Sequence, residues 1–441
     1  MNGYIRNTIR QKIIDSQAAR LPEYTRRDIR IPNISGKAVA IIGMRRTGKS
    51  TFMRQIMSDK LKQGAPEESI LYFSFEDERL ADMQPSDLEL IVEEFYRLQP
   101  HMRDSGKTFF FLDEIQVVKG WELFVRRLLD TENIELYLSG SSSRMLSKEV
   151  ATSMRGRALE TTVYPFSFRE YLRHRGMEPA HPPERWNKAE RSAIDHELAD
   201  YLQNGGFPET IGIEEPYRRE LLRSYIDVAL LLDVIERHNI TNPLALRWMV
   251  RHLLGNAAGS FSINRFHNDL KSQGLSVAKD TLHAYLGHLE DAFLLHTISV
   301  ATGSERRRMV NPRKIYPADT SLIPLYERHG KENTGHALET AVYLELARRG
   351  YQTSYIRTTS GYEVDFYAQN GNETPELIQV CATLDDPIVR KRETRALHEA
   401  AKEFPGATLR LITLTPLRAT TLPETISSTQ ASDWLLNNIK E

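Results

Sequence analysis

The chain has 441 residues, too many for one ordinary hydrophobic core, and its length predicts roughly three domains. Its 58 basic and 59 acidic side chains leave a formal net charge of -1, which excludes a protein that coats nucleic acid by bulk charge but allows a local basic patch. A single cysteine, Cys381, excludes an internal disulfide and a cysteine-based zinc site.

The N-terminal segment (1–35) begins MNGYIRNTIRQKIIDSQ, without the apolar core of a signal peptide. No apolar run in the chain approaches the roughly 18 residues of a membrane helix, so a cytoplasmic protein without a membrane span is expected. KAVAIIG then reads as a strand buried on both faces, GMRRTGKST (43–51) as a glycine loop, and STFMRQIMSDKLKQG as a helix stopped near Gly64. Strand, glycine loop and helix form the context that phosphate binding requires. Gly43 and Gly48 let the backbone wrap the phosphates, so that amide N–H groups point inward at the helix start. Lys49 would reach the β- and γ-phosphates and Ser50 would hold Mg²⁺; Arg45, Arg46, Thr47 and Thr51 complete the nucleotide-binding set. ATP and Mg²⁺ are the expected cofactors.

KTFFFLDEIQ (107–116) is a second buried strand, ending in Asp113-Glu114. Asp113 at the strand tip suits Mg²⁺ binding through water, and Glu114 suits polarising the attacking water. SILYFSFEDE precedes this strand, while ENIELYLSGSSSRML and RALETTVYPFSF follow it; the alternation with helices predicts an α/β core with a parallel sheet. Ser139 and Ser141 stand at a strand end, placed either to touch the γ-phosphate or attacking water or simply to make a turn.

In their order, GMRRTGKST, FFFLDEIQ, LSGSSSRML, MRGRALE and YPFSFREYL resemble AAA-type P-loop ATPases of the archaeal-ATPase-like branch. The resemblance implies an ATP-hydrolysing core (36–170) in a homo-oligomeric ring, a hexamer, whose site is completed by an arginine of the neighbouring subunit. Arg155 and Arg157 of MRGR are the two candidates for that arginine. It also implies a helical lid (171–245), broken at Gly205-Gly206 and Pro208, in which Arg218, Arg219 and Arg223 are equal candidates for a phosphate sensor.

Residues 260–300 read as helix, turn at Gly274, second helix and strand, the layout of a winged-helix-like segment (246–305). Leu282, Tyr285, Leu286, Leu289 and Phe293 form the second helix's apolar face. Lys279, His283 and His288 are offset there by Asp280, Glu290 and Asp291, which favours packing or a ring interface over reading of bases. ERRRMVNPRK follows, and Arg306, Arg307, Arg308, Arg313 and Lys314 make the chain's densest positive cluster, the expected phosphate contacts for DNA or else a solvated loop.

HALETAVYLELARRGYQTSYIRTTSGYEVDFYAQNGNETPELIQVC (336–381) places Glu339 on a helix, Asp365 on a second strand, and Gln379 and Cys381 on a third. The pattern resembles the restriction-endonuclease-like fold (306–441), in which two acids hold a divalent metal and a lysine serves the attacking water. Here the E-x-K of the third strand is Gln379-Val380-Cys381, so an amide replaces a carboxylate and a thiol replaces an ammonium. Arg390, Lys391 and Arg392 on the next helix are the positive charges nearest in sequence. A domain that binds DNA, by fold analogy branched DNA, or acts as a scaffold without cutting is therefore expected. The whole reads as a ring ATPase acting on or sensing DNA. The rival readings are a signalling or defence switch acting on a protein partner and an ATP-gated, metal-dependent nuclease.

Overall fold

A computed structural model describes residues 2–32, 34–103, 106–141, 154, 156–326, 334–416 and 422–437. The chain divides into two compact units, Met1–Val163 with Asp291–Phe293, and Tyr164–Glu290 with Leu294–Glu441.

The first unit is built on β1 (Ala38–Ile42), β2 (Ile70–Ser74), β3 (Thr108–Asp113), β4 (Ile134–Gly140) and β5 (Ala158–Thr162). All pairings are parallel, in the order β2-β3-β4-β1-β5. Every residue of β1 is buried, as an interior parallel strand requires. Its side chains alternate between two cores. Val39 and Ile41 meet Phe52, Met53 and Ile56 of α2 (Lys49–Lys62). Ala38, Ala40 and Ile42 meet Phe110, Leu112, Phe95 of α3 (Glu89–Leu98) and Trp121 and Val125 of α4 (Trp121–Thr131).

The N-terminal segment, for which the sequence reading gives no element, contains α1 (Asn2–Ala18). Ile5, Ile9 and Ile13, spaced four apart on one helix face, are buried in the second of these cores. Arg6 Nη1 pairs with Glu94 at 2.7 Å and Lys12 Nζ with Asp77 at 2.6 Å, fixing both ends of the helix.

The second unit opens with α5 (Phe168–His174), α6 (Lys188–Asn204), α7 (Glu215–Val228), a π-helical turn over Ala229–Glu236, and α8 (Pro243–Leu254). A three-stranded antiparallel sheet follows, with β8 (Arg313–Pro317) between β6 (Ser260–Phe261) and β7 (Leu295–Ile298). Helices α9 (Ile263–Ser272) and α10 (Lys279–Asp291) separate β6 from β7, and the short α11 (Glu305–Val310) separates β7 from β8.

The C-terminal part is a mixed sheet in the order β13-β12-β11-β10-β9. β9 (Gln352–Arg357), β10 (Glu363–Gln369) and β11 (Glu376–Cys381) pair antiparallel, while β12 (Thr408–Thr413) and β13 (Ile426–Gln430) add in parallel. Helix α12 (Thr334–Arg348) packs Leu338, Ala341 and Val342 with Phe366 and Ile378 on one face. Helix α13 (Pro387–Glu403) packs Ala396, Leu397 and Ala400 with Val364 and Leu377 on the other. The register of β10 shifts between Val364 and Tyr367, so Val364 and Phe366 fall on opposite faces although they are two residues apart.

The Gly205-Gly206 break is a close approach of backbones. Gly206 donates its N–H to Asp319 Oδ2 at 2.9 Å and accepts from Phe166 N at 2.7 Å. A Cβ on Gly206 would stand 2.3 Å from the Phe166 carbonyl oxygen, a backbone atom that cannot step aside alone. Gly206→Ala is expected to cost roughly 2–3 kcal/mol, the range of a severe core perturbation. In thermal denaturation the transition containing the second unit should fall by several degrees. An unchanged midpoint would mean that this close approach is not rigid.

Candidate nucleotide-binding site

The glycine loop is shaped by three residues with positive φ: Gly43 at 149°, Arg46 at 68° and Gly48 at 94°. A Cβ on Gly43 would meet the Val163 carbonyl oxygen at 2.3 Å. Gly48 caps α2 without a side chain, so no cap hydrogen bond covers the helix's first amides. Those amides and the positive end of the helix suit an anion. Lys49, the first helical residue, is 6% exposed. Its Nζ donates to the carbonyls of Gly43 and Met44, both at 3.2 Å, and lies 3.8 Å from Glu114 Oε1. The buried Thr47 hydroxyl donates to Met44 O at 3.0 Å. Ser50 is half-buried on the first helical turn, while Thr51 and Arg46 are exposed. Arg45 pairs with Glu76 at 3.3 Å.

Because β4 lies between β1 and β3, its tip separates the loop from the acidic pair. Ser139 on β4 is wholly buried, and its Oγ accepts the Glu114 N–H at 2.9 Å. A backbone N–H can only donate, so the hydroxyl proton is free to go to Asp113, whose Oδ1 accepts it. The other Asp113 oxygen accepts from Tyr72 OH at 2.5 Å. Burial, with Asp113 beside it, raises the Tyr72 phenol well above its ordinary range and keeps it a donor. One hydroxyl thus holds both acids, a different use of Ser139 from contact with phosphate or water.

Glu114 is held at φ 57°, a left-handed conformation uncommon for a residue with a side chain. Gln116 donates its amide to Glu114 Oε2, and Lys49 faces Oε1. Burial raises the Glu114 carboxyl above the usual range, and the opposing charge of Lys49 draws it back down. A carboxyl moved toward neutral pH is the kind of group that can take a proton from water. The Asp113 oxygens keep lone pairs beyond those used, and with the Ser50 hydroxyl they form an all-oxygen donor set fitting Mg²⁺.

The other sequence-derived residues scatter. Ser141 is buried just past β4. Arg157 pairs with Asp130 inside the first unit, and Arg155 lies outside the described residues. On α7, Arg218 donates to Ile213 O at 3.1 Å and Arg219 pairs with Glu215 at 3.3 Å. Arg306, Arg307 and Arg308 are exposed on α11, with Arg308 tied to Glu305 at 2.7 Å. Arg313 is exposed and faces Glu290 at 3.6 Å.

Lys314 does not belong with this basic run. Successive strand residues point to opposite faces, so Lys314 turns inward next to the outward Arg313. It is 3% exposed, and its Nζ lies 3.0 Å from Glu339, 3.1 Å from Glu363 and 2.9 Å from Asp365. An ammonium enclosed by three carboxylates cannot reach a phosphate in solvent, and Lys314 leaves the set of candidate DNA contacts. It instead sets a positive charge beside Glu339 and Asp365. The charges on α13 do not: Arg392 is spent on Glu393, and Arg390 on the Leu384 carbonyl.

Sequence reasoning also missed Arg27. Its backbone N–H and C=O are both bound by the Gln55 side chain, at 2.8 and 3.1 Å, and its Nη1 donates to Thr47 O at 3.0 Å. The N-terminal segment therefore braces the glycine loop from outside. No local motif marks an arginine 20 residues away from the carbonyl it holds.

Comparison with known proteins gives two family matches. Residues 35–172 match an AAA domain, and residues 195–329 match a domain of unknown function, DUF8612. The uncharacterized protein MJ1544 of Methanocaldococcus jannaschii is 32% identical over 397 residues, covering 89% of this chain and 85% of its own. An uncharacterized protein of Haemophilus influenzae is 29% identical over 340 residues, covering 76% and 80%. Among solved structures, the Walker-type ATPase PABY2304 of Pyrococcus abyssi aligns over 73% of this chain and 95% of its own, with 16% identity and a TM-score of 0.40.

Arg27→Ala removes a charge-assisted hydrogen bond that is worth about 1.5–3 kcal/mol. It should weaken ATP binding about tenfold in equilibrium dialysis without unfolding the sheet. Unaltered affinity would show that the loop keeps its shape unaided.

Proposed function

Starting from a chain that belongs to the family of MJ1544 and carries an AAA-type P-loop ATPase domain, we propose that it hydrolyses ATP and uses the cycle to act on DNA. The observation carrying the first half is the convergence of Lys49, Asp113, Glu114 and Ser139 at the C-terminal ends of β1, β3 and β4. In this reading the amides of 43–50 and Lys49 bind the triphosphate. In exchanging its bonds to the Gly43 and Met44 carbonyls for phosphate oxygens, Lys49 gains charge complementarity. Ser50 and Asp113 hold Mg²⁺, which when bound neutralises β- and γ-phosphate charge. Glu114 orients the attacking water and receives its proton, with its backbone fixed by Ser139 and its carboxylate by Gln116. The subunits form a ring, a hexamer, in which Arg155 or Arg157 of a neighbour meets the γ-phosphate.

The second half rests on α11. Arg306 and Arg307 are solvent-facing on a helix whose Met309 is 80% exposed. Planar guanidinium groups pair bidentately with phosphate oxygens and read no base. The DNA partner is therefore bound by shape, with a branched duplex the class suggested by the restriction-endonuclease-like reading of the C-terminal sheet.

Lys49→Ala should abolish tight ATP binding. Glu114→Gln should leave binding within a few-fold of wild type and lower turnover by about 10²–10⁴, the usual contribution of a general base. With ATP added, Glu114→Gln should also sediment as the ring. Wild-type turnover in Glu114→Gln would remove Glu114 as the base, and a monomer under saturating ATP would remove the ring.

Replacing Arg306, Arg307 and Arg308 with alanine should weaken binding to a fluorescent four-way junction and spare basal ATP turnover. It should also flatten the log–log salt slope by roughly 0.9 for each phosphate that is no longer neutralised. Equal affinity and slope in both proteins would exclude α11 as the DNA-binding element. No binding by wild type at low salt, with nucleotide present, would favour a protein partner.

A further inference from the structure

The acids that a restriction-endonuclease-like site would give to a metal are already committed. Lys314 Nζ donates to Glu339 Oε1 and Asp365 Oδ1 and forms an ion pair with Glu363 Oε1. Glu339 Oε1 also accepts from Tyr316 OH at 2.8 Å, and Asp365 Oδ2 accepts the Val380 N–H at 2.9 Å. The third strand brings no further ligand. Gln379 accepts from Asp365 N at 3.3 Å and donates to Glu393 at 2.8 Å, so both ends of its amide are occupied. Cys381 on the same strand offers sulfur, whereas Mg²⁺ takes oxygen ligands.

The oxygens nearest the cluster's centre are turned to the Lys314 nitrogen, two by hydrogen bonds and one by an ion pair, and the donors beside them fall short of the six oxygens that Mg²⁺ prefers. A divalent ion placed among these oxygens would also stand against a permanent positive charge. Glu339, Glu363 and Asp365 all face the Lys314 nitrogen within 3.1 Å, so the negative charge of the cluster is already opposed by a cation. The donor set therefore does not fit a divalent metal.

We infer that Lys314 is the resident cation of the C-terminal carboxylate cluster, occupying the position of a nuclease metal and making the domain metal-free and non-cleaving. Lys314 comes from β8, outside the mixed sheet, and joins that strand to α12 and β10 through one buried knot.

The cluster makes removal of the ammonium informative, because buried carboxylates left without a counter-charge are strongly destabilising. The experiment uses the full-length chain without nucleotide. Wild type and Asp365→Asn should take up equal amounts of Mn²⁺ by electron paramagnetic resonance. Lys314→Ala should melt several degrees lower in a chelator, bind about one additional Mn²⁺ per chain, and recover much of that drop when Mn²⁺ is added. Lys314→Arg, which keeps a cation, should gain no Mn²⁺. Two results overturn the inference without Lys314→Ala, should that variant fail to fold. One is a Mn²⁺ ion present in wild type and missing from Asp365→Asn. The other is Mg²⁺- or Mn²⁺-dependent nicking of supercoiled DNA that Asp365→Asn abolishes. A folded Lys314→Ala that gains no Mn²⁺ overturns it equally.

Discussion

A buried ammonium stays charged only where acceptors replace its lost water, and this constraint governs both polar centres of the chain. Lys49 and Lys314 are each less than a tenth exposed. The partners differ in kind. Those of Lys49 include two neutral carbonyls at 3.2 Å and the Glu114 carboxylate at 3.8 Å. Lys314 donates to two carboxylates, Glu339 and Asp365, and faces a third, Glu363, at 3.1 Å.

Glu114 adds a conformational element to the first centre. Its left-handed backbone lies outside the comfortable range for a residue with a Cβ. The strain persists because its N–H is bound by Ser139, and its side chain is held by Gln116 against Lys49. Ser139 in turn is placed by the parallel register in which it faces Ile41. Sheet order, hydroxyl and strained glutamate form one chain of dependence, and each step needs the one before it. The carboxylate is aimed before any ligand arrives, which is how fixed polar groups favour a charge-developing step.

What can be read from sequence follows from how local each feature is. The loop after β1 and the acids ending β3 each lie within ten consecutive residues, where spacing alone dictates geometry. The apolar runs of β1 and β3 likewise identify a parallel interior, because their apolarity on both faces leaves few other places to put them. Features made by distant pairs are invisible. Arg27 meets Thr47 only because the N-terminal segment doubles back along α2 through Gln55. Lys314 looks like the end of an arginine run because a linear reading cannot tell that a strand starting at Arg313 turns every second side chain inward. The resemblance read from the sequence directs the search for a positive charge to β11 and α13, whereas the lysine beside Glu339 and Asp365 comes from a strand of a different sheet. The stripe Ile5, Ile9, Ile13 of α1 is in principle readable, but its flanking polar residues give it little amphipathic contrast.

β8 has a mechanical consequence. It is the middle strand of the sheet that carries α9 and α10, and its Lys314 and Tyr316 are bound to Glu339 of α12. Just past β7, the Ala301 N–H bonds to Tyr355 O at 2.7 Å and the Tyr355 N–H to Ser299 O at 3.1 Å, so the small sheet is also stitched to β9 by backbone. A helical reading head on a flexible tether can swivel to search a surface. The α9–α10 pair has no such freedom, because its base is riveted at two points to the C-terminal sheet. Torque applied to either part is transmitted to the other without slack, and the two travel as one lever arm.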